Sequence, residues 1–159
     1  MPAEGEEFVI LHTNQGDISL RLFPEHAPQT VANFKKLVND KFYDSLIFHR
    51  IIEGFMIQGG DPEGTGMGGP GYTTPAEIHE ALKHIPGALA TARLSDNINP
   101  LKASSGSQFY IVHQNARFLD GEYTVFGQTF AGMETVNAIT QYTGTATVIT
   151  SAEISIYKK

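Results

Sequence analysis

The chain has no cysteine among its 159 residues. Disulfides, thiolate catalysis and thiolate metal sites are therefore excluded, while the redox compartment stays open. Tryptophan is absent as well, which removes any indole N–H donor. No apolar run approaches the ~20 residues a membrane-crossing helix needs. Basic residues are few, 11 against 17 acidic ones for a formal charge of −6, and their scatter opposes attraction to phosphates or anionic lipid. Neither nucleic acid nor a membrane is an expected partner. The opening Met1-Pro2-Ala3-Glu4-Gly5-Glu6-Glu7 carries neither a basic start nor an apolar segment, so no secretory leader is read and the cytoplasm is the default compartment.

What is present suits a globular domain. Hydrophobic residues make up 41% of the chain, and a chain of this length buries roughly 70% of the surface its unfolded form exposes. One domain over 1–159 is expected, with about residues 1–6 as a flexible extension. Phe8 to Leu11, a turn at Asn14-Gln15-Gly16, and Ile18, Leu20 and Leu22 at alternate positions read as a hairpin. Pro28 suits a first helical position, and Val31, Phe34, Leu37 and Val38 follow at helical spacing toward Asn39 or Asp40. Strand-like runs recur at Phe48 to Ile51, Phe55 to Gln58, Ala88 to Ala92, Ser107 to Val112, Thr124 to Phe130 and Val148 to Tyr157. A second helix is expected from Met133 to Tyr142, with Met133, Val136 and Ile139 inward. About eight strands and two helices, mostly without helices between strands, point to a mainly β fold: a closed eight-stranded antiparallel barrel capped by the two helices.

Several motifs invite a wrong assignment. Gly64-Thr65-Gly66-Met67-Gly68-Gly69 matches a dinucleotide pattern, but Pro70-Gly71 follows where a helix should begin, so a glycine-rich surface loop is the better reading. His79 and His84 are five residues apart, not the four that would put both on one helix face, and the six histidines share no ligand spacing. No metal and no cofactor are expected. Serines 104, 105 and 107 lack the nucleophile elbow of a hydrolase.

The most informative stretch is Phe48-His49-Arg50-Ile51-Ile52-Glu53-Gly54-Phe55-Met56-Ile57-Gln58-Gly59-Gly60-Asp61. Strict alternation puts Phe48, Arg50 and Ile52 on one face and His49 and Ile51 on the other, with Phe55 and Ile57 likewise opposed to Met56 and Gln58. Alone, Arg50 reads as a solvated residue paired with Glu53 or Glu77, and His49 as structural. Together with Ser105-Gly106-Ser107-Gln108-Phe109-Tyr110-Ile111 and with Phe118-Leu119-Asp120-Gly121 leading to Val125-Phe126-Gly127, the stretch closely resembles the cyclophilin family of peptidyl-prolyl isomerases. The likeness runs from the first hairpin to the last strand.

That resemblance implies an enzyme that rotates X-Pro peptide bonds in protein substrates and assists folding, with Arg50 as the catalytic residue. It places the proline ring against Phe55, Met56, Tyr110 and Leu119, with Phe118 at the rim and Tyr123 nearby. It gives Gln58 a hydrogen bond to the substrate backbone, Ala92 and Arg93 the path of the preceding residues, and Gln108 a supporting role. Partners are then proline-containing peptides and unfolded or flexible proteins, met by a monomer. The alternative, from another class, is a non-catalytic docking or chaperone module that keeps the groove.

The chain departs from the best-known members of that family at four places. Phe118 stands for a tryptophan, Tyr123 for a histidine and Arg93 for an asparagine, and the Leu94 to Ser105 connection, with Asp96, Asn97, Asn99 and Lys102, is longer. The first two changes imply weakened binding of cyclosporin more than loss of isomerase activity.

Overall fold

A computed structural model of the chain describes residues 1–94, 99–142, 144 and 146–159. The elements run β1 (Glu7–Thr13), β2 (Gly16–Leu22), α1 (Pro28–Asn39), β3 (Phe48–Ile52), β4 (Met56–Gly59), β5 (Thr73–Thr74), β6 (Ala88–Thr91), β7 (Ser104–Ser105), β8 (Phe109–Val112), β9 (Val125–Ala131), α2 (Met133–Gln141) and β10 (Ile149–Ile156). A short 3-10 turn covers Arg117–Leu119. Eight strands form one antiparallel sheet in the order β10-β1-β2-β9-β6-β8-β4-β3, and β5 pairs with β7 apart from it. No helix among the described residues is long and apolar enough to cross a membrane.

The sheet curls without closing, which corrects the expected closed barrel. Its edge strands β3 and β10 meet beyond their ends through the isolated bridge Ile47↔Val148 and hydrogen bonds such as Phe48 N–H to Thr147 O, 3.0 Å. No ladder joins them along their length among the described residues. A half-barrel results. Its hollow is filled by Val9, Leu11, Ile18 and Leu20 of the first hairpin, Ile57, Phe109 and Ile111, and the apolar stripes of both helices.

Helix α1 buries Thr30, Val31, Phe34, Leu37 and Val38 at spacings of three and four, so one stripe faces inward. Its own N-cap, Ala27, has no side chain able to accept a hydrogen bond. Glu77 does the capping from a distant segment: its carboxylate accepts the N–H groups of Gln29 (3.1 Å) and Thr30 (2.7 Å) and the Thr30 hydroxyl (2.7 Å). Negative charge at the orphan donors of a helix start is favourable. Helix α2 ends at Gln141, one residue short of the expected Tyr142, with Thr135, Val136 and Ile139 buried and Met133 partly so.

Strict alternation fails in β3. Phe48 pairs with Gly59 and Arg50 with Gln58, so His49 is an extra residue, a β-bulge. Phe48 and Ile51 consequently join the inner core, while Arg50 turns to the outer face, not the face of Phe48 as alternation required. Phe55 escapes the pattern too. It precedes β4 after Gly54, whose φ of 82° suits a residue without Cβ, and it packs with Met56 instead of Ile57.

Away from these strands, His12 sits between two carboxylates, with Nδ1 2.8 Å from Asp17 and Nε2 2.6 Å from Glu153. Carboxylates only accept, so both bonds form only with the imidazolium, and its pKa is raised by the bonds to Glu153 and then Asp17. A raised folded-state pKa contributes stability that is complete below the unfolded value of 6.5 and is lost as pH rises through the folded value. His12→Gln is therefore expected to lower Tm by about 1 to 4 °C below that value, as for a partly exposed ion pair. The deficit should vanish in alkaline melts, and a deficit independent of pH would contradict it.

Candidate functional site

Strands β4, β8 and β6 are buried along nearly their whole length because they are covered on both faces. Their inner row belongs to the main core. Their outer row, Met56, Tyr110, Val112, Ala88 and Ala90, forms a second cluster with Ala92, Ala116 and Val125. Register aligns Arg50 with Gln58, Gln58 with Tyr110, and Tyr110 with Ala90 across four neighbouring strands. The result is an open cavity of about 250 Å³ lined by Arg50, Phe55, Met56, Gln58, Ala92, Arg93, Tyr110, Leu119 and Tyr123.

Two expected residues lie outside that cavity. Phe118 is 72% exposed and stands at the lip, its ring centroid 5.5 Å from that of Phe55. Gln108 lines the adjoining groove of about 460 Å³, which shares Gln58, Ala92 and Arg93 with the cavity. There its amide Nε2 donates to Gly66 O (2.9 Å) and Gly68 O (2.7 Å), while its Oε1 accepts Gln58 Nε2 (3.1 Å). Because Gln108 spends its donors on two carbonyls, it must accept from Gln58, whose own carbonyl oxygen is left for another donor. The glycine loop is held from the other side by Asp61. Burial pushes that carboxyl up, but the N–H groups of Glu63, Gly68, Gly66 and Thr65 outweigh burial and hold it below the usual range.

Arg50 makes no hydrogen bond or ion pair among the described residues. The acids that could have neutralised it are engaged elsewhere, Glu77 on α1 and Glu53 with the Gln141 amide. Arg93 is different. Its guanidinium lies 4.5 Å from the Tyr123 ring centroid, its Nε donates to Glu122 O (2.7 Å), and its Nη1 donates to Leu94 O (2.8 Å). The Glu122 carboxylate also accepts Lys102 Nζ at 2.8 Å, which ties the longer connection to the pocket wall. Of that connection, Asp96 and Asn97 lie outside the described residues.

Sequence reasoning missed His84, which is fully buried and links pocket floor to lip. Asp120 is held down to about 2: burial opposes ionisation, but Arg117 and the backbone and ring N–H of His84 prevail. That carboxylate only accepts, so His84 Nδ1–H donates to it (3.0 Å) and Nε2 accepts the Tyr110 hydroxyl (2.7 Å). Burial keeps the His84 pKa below its ordinary value despite Asp120, and burial likewise raises that of Tyr110. The partners are 36 and 26 residues away in sequence, beyond any spacing argument. His113 was missed for the same reason. Its Nδ1 accepts Gly54 N–H (2.8 Å) and its Nε2 donates to Asn137 of α2 (2.7 Å), fixing the turn that presents Phe55.

An exposed guanidinium thus stands beside an apolar slot and the side-chain amide of Gln58. The model of the family described as cyclophilin type peptidyl-prolyl cis-trans isomerase/CLD matches residues 8–158. The chain belongs to the cyclophilins. Among curated relatives it is 52% identical over 120 residues to a peptidyl-prolyl cis-trans isomerase of Synechococcus elongatus, covering 76% of this chain and 78% of that one. It is 50% identical over 118 residues to peptidyl-prolyl cis-trans isomerase B of Bacillus subtilis, covering 74% and 78%. A crystal structure of a Cryptosporidium parvum cyclophilin, determined in the presence of the dipeptide Ala-Pro, superposes with a TM-score of 0.84 at 35% identity, covering 96% of this chain and 99% of that one.

Guanidinium groups stay charged at any physiological pH, and in this cyclophilin burial pulls both His84 and His49 below the ordinary imidazole value, with Asp61 opposing and Arg50 adding to the effect at His49. We expect kcat/KM to vary by less than about 2-fold between about pH 6 and 8. A histidine-like inflection in that interval that disappears in His49→Gln would contradict this.

Proposed function

We propose that the 250 Å³ cavity seats the proline ring of an X-Pro bond and that Arg50 speeds rotation about it. A planar peptide resists rotation by ~18 to 20 kcal/mol because nitrogen donates its lone pair into the carbonyl. As the bond twists, that pair returns to nitrogen, which becomes a hydrogen-bond acceptor. A guanidinium already beside it stabilises the twisted state more than either planar one, and that difference is what lowers a barrier. The observation that carries this reading is Arg50 itself, facing the cavity without an acidic partner among the described residues.

Arg50 does not suffice alone. An acceleration of ~10⁶ requires about 8 kcal/mol, whereas one hydrogen bond to a charged group contributes about 1.5–3 kcal/mol. Holding the ring against Phe55, Met56, Tyr110 and Leu119 while Gln58 receives a backbone N–H supplies the remainder through positioning. The adjoining groove, continuous with the cavity through Gln58, Ala92 and Arg93, takes the residues that precede proline. No cofactor and no covalent intermediate enter this scheme. Substrates are proline-containing peptides and unfolded or flexible proteins whose folding the enzyme assists.

A protease-coupled assay on Ala-Ala-Pro-Phe 4-nitroanilide tests the activity. Catalytic amounts are expected to accelerate cis-to-trans conversion, and binding without acceleration would favour the docking-module alternative. Phe55→Ala should weaken peptide binding and kcat/KM together, each by about 10-fold or more, because the ring slot serves planar and twisted states alike.

The lip generates a further expectation. Phe118 has no indole N–H, so a cyclic peptide inhibitor such as cyclosporin that uses such a donor should bind at least about 5-fold more weakly than to the Phe118→Trp protein. Equal affinity for the two proteins would remove the lip from the account.

A further inference from the structure

The groove beside the proline cavity has apolar walls of unequal firmness. Met67 is 79% exposed and Leu94 48% exposed, both on loops, whereas Tyr72 is 41% exposed and anchored at its far end. The anchor is Asn33, a half-buried residue of α1 that does not itself line the groove. Asn33 Oδ1 accepts the Tyr72 hydroxyl, and Asn33 Nδ2 donates to Gly106 O at 2.7 Å. Gly106 in turn lies directly beneath Tyr72: a Cβ there would stand 2.4 Å from Tyr72 O. Side chain, backbone contact and amide thus close a triangle between helix, groove wall and groove floor. The pairing of Thr73 with Ser105 and Thr74 with Ser104 continues it.

We infer that Asn33 is a positioning residue for substrate selection: through Tyr72 and Gly106 it sets the width of the groove that receives the side chain two residues before proline. The inference rests on the proposed course of the substrate through that groove. A wall held in place loses less conformational freedom when it closes on a side chain than a mobile one does, so a fixed Tyr72 favours a large apolar residue there. The amide suits the task because it donates and accepts at once, in one orientation determined by its two partners. Glu77, which caps the first turn of α1, bolts the same segment to the same helix less than two turns away.

The test compares kcat/KM for Leu-Ala-Pro-Phe and Gly-Ala-Pro-Phe 4-nitroanilides, and its readout is their ratio. The wild-type protein should favour the leucine peptide by about 3- to 10-fold. Asn33→Ala should bring the ratio to within about 2-fold of unity. Tyr72→Phe, a surface change that removes only the hydroxyl, should lower it comparably, and the double variant should lower it no further, because both changes break the same bond. A wild-type ratio near unity would overturn the groove reading itself, and the inference with it. A wild-type preference that survives in both single variants would overturn the role of Asn33 alone. Loss of activity on both peptides in equal proportion would do the same, since a merely structural residue has that effect.

Discussion

The extra residue that β3 carries against β4 sets the direction of Arg50. With Phe48 opposite Gly59 and Arg50 opposite Gln58, consecutive partners on β4 force Phe48 and Arg50 to opposite faces. The aromatic ring enters the half-barrel core and the guanidinium enters the cavity. A regular ladder would bury the charge with the ring or expose the ring with the charge, and either is expensive. Bulges recur next to active sites for this reason: they re-aim one side chain without disturbing the rest of the strand.

Around that guanidinium the site is tied together by side-chain hydrogen bonds, some neutral and one to the Asp120 carboxylate. Gln108 fixes Gln58, His84 ties the Tyr110 hydroxyl to the Asp120 segment, and His113 ties the Phe55 turn to α2. Each link joins segments distant in sequence. Buried polar groups with every partner present make a rigid network, whereas an unpaired one would be costly. Rigidity matters in the proposed mechanism because that mechanism has no covalent step. In it the guanidinium lowers the barrier only if the ring and the flanking backbone are held while the bond turns.

Much of this was legible in the sequence, and the rest was hidden for physical reasons. The first hairpin and both helices follow from local periodicity, since the spacing of Val31, Phe34, Leu37 and Val38 describes a helix wherever it lies. The cavity lining came from positions matching a family pattern, which period counting alone would have assigned to core. The bulge at His49 did not show, because whether a residue is extra depends on the strand opposite. Two-residue strands such as β5 and β7 are too short to carry a period. A closed barrel and a half-barrel have the same strands, and only the contact of β3 with β10 separates them. His84 was dismissed as a metal ligand on sound spacing grounds, yet its partners come from other strands and turns.

The most direct measurement follows both binding and turning in one sample: NMR exchange on a proline peptide with the Arg50→Ala protein. If the guanidinium acts chiefly in the twisted state, the on-enzyme interconversion rate falls by at least ~10²-fold, about 2.7 kcal/mol. Kd for the peptide should then change by less than about 3-fold. Arg50→Lys should recover only part of the rate, since an ammonium on a flexible stem does not reproduce the planar fork. An unaltered rate, or a rate and an affinity reduced in equal proportion, would contradict the mechanism.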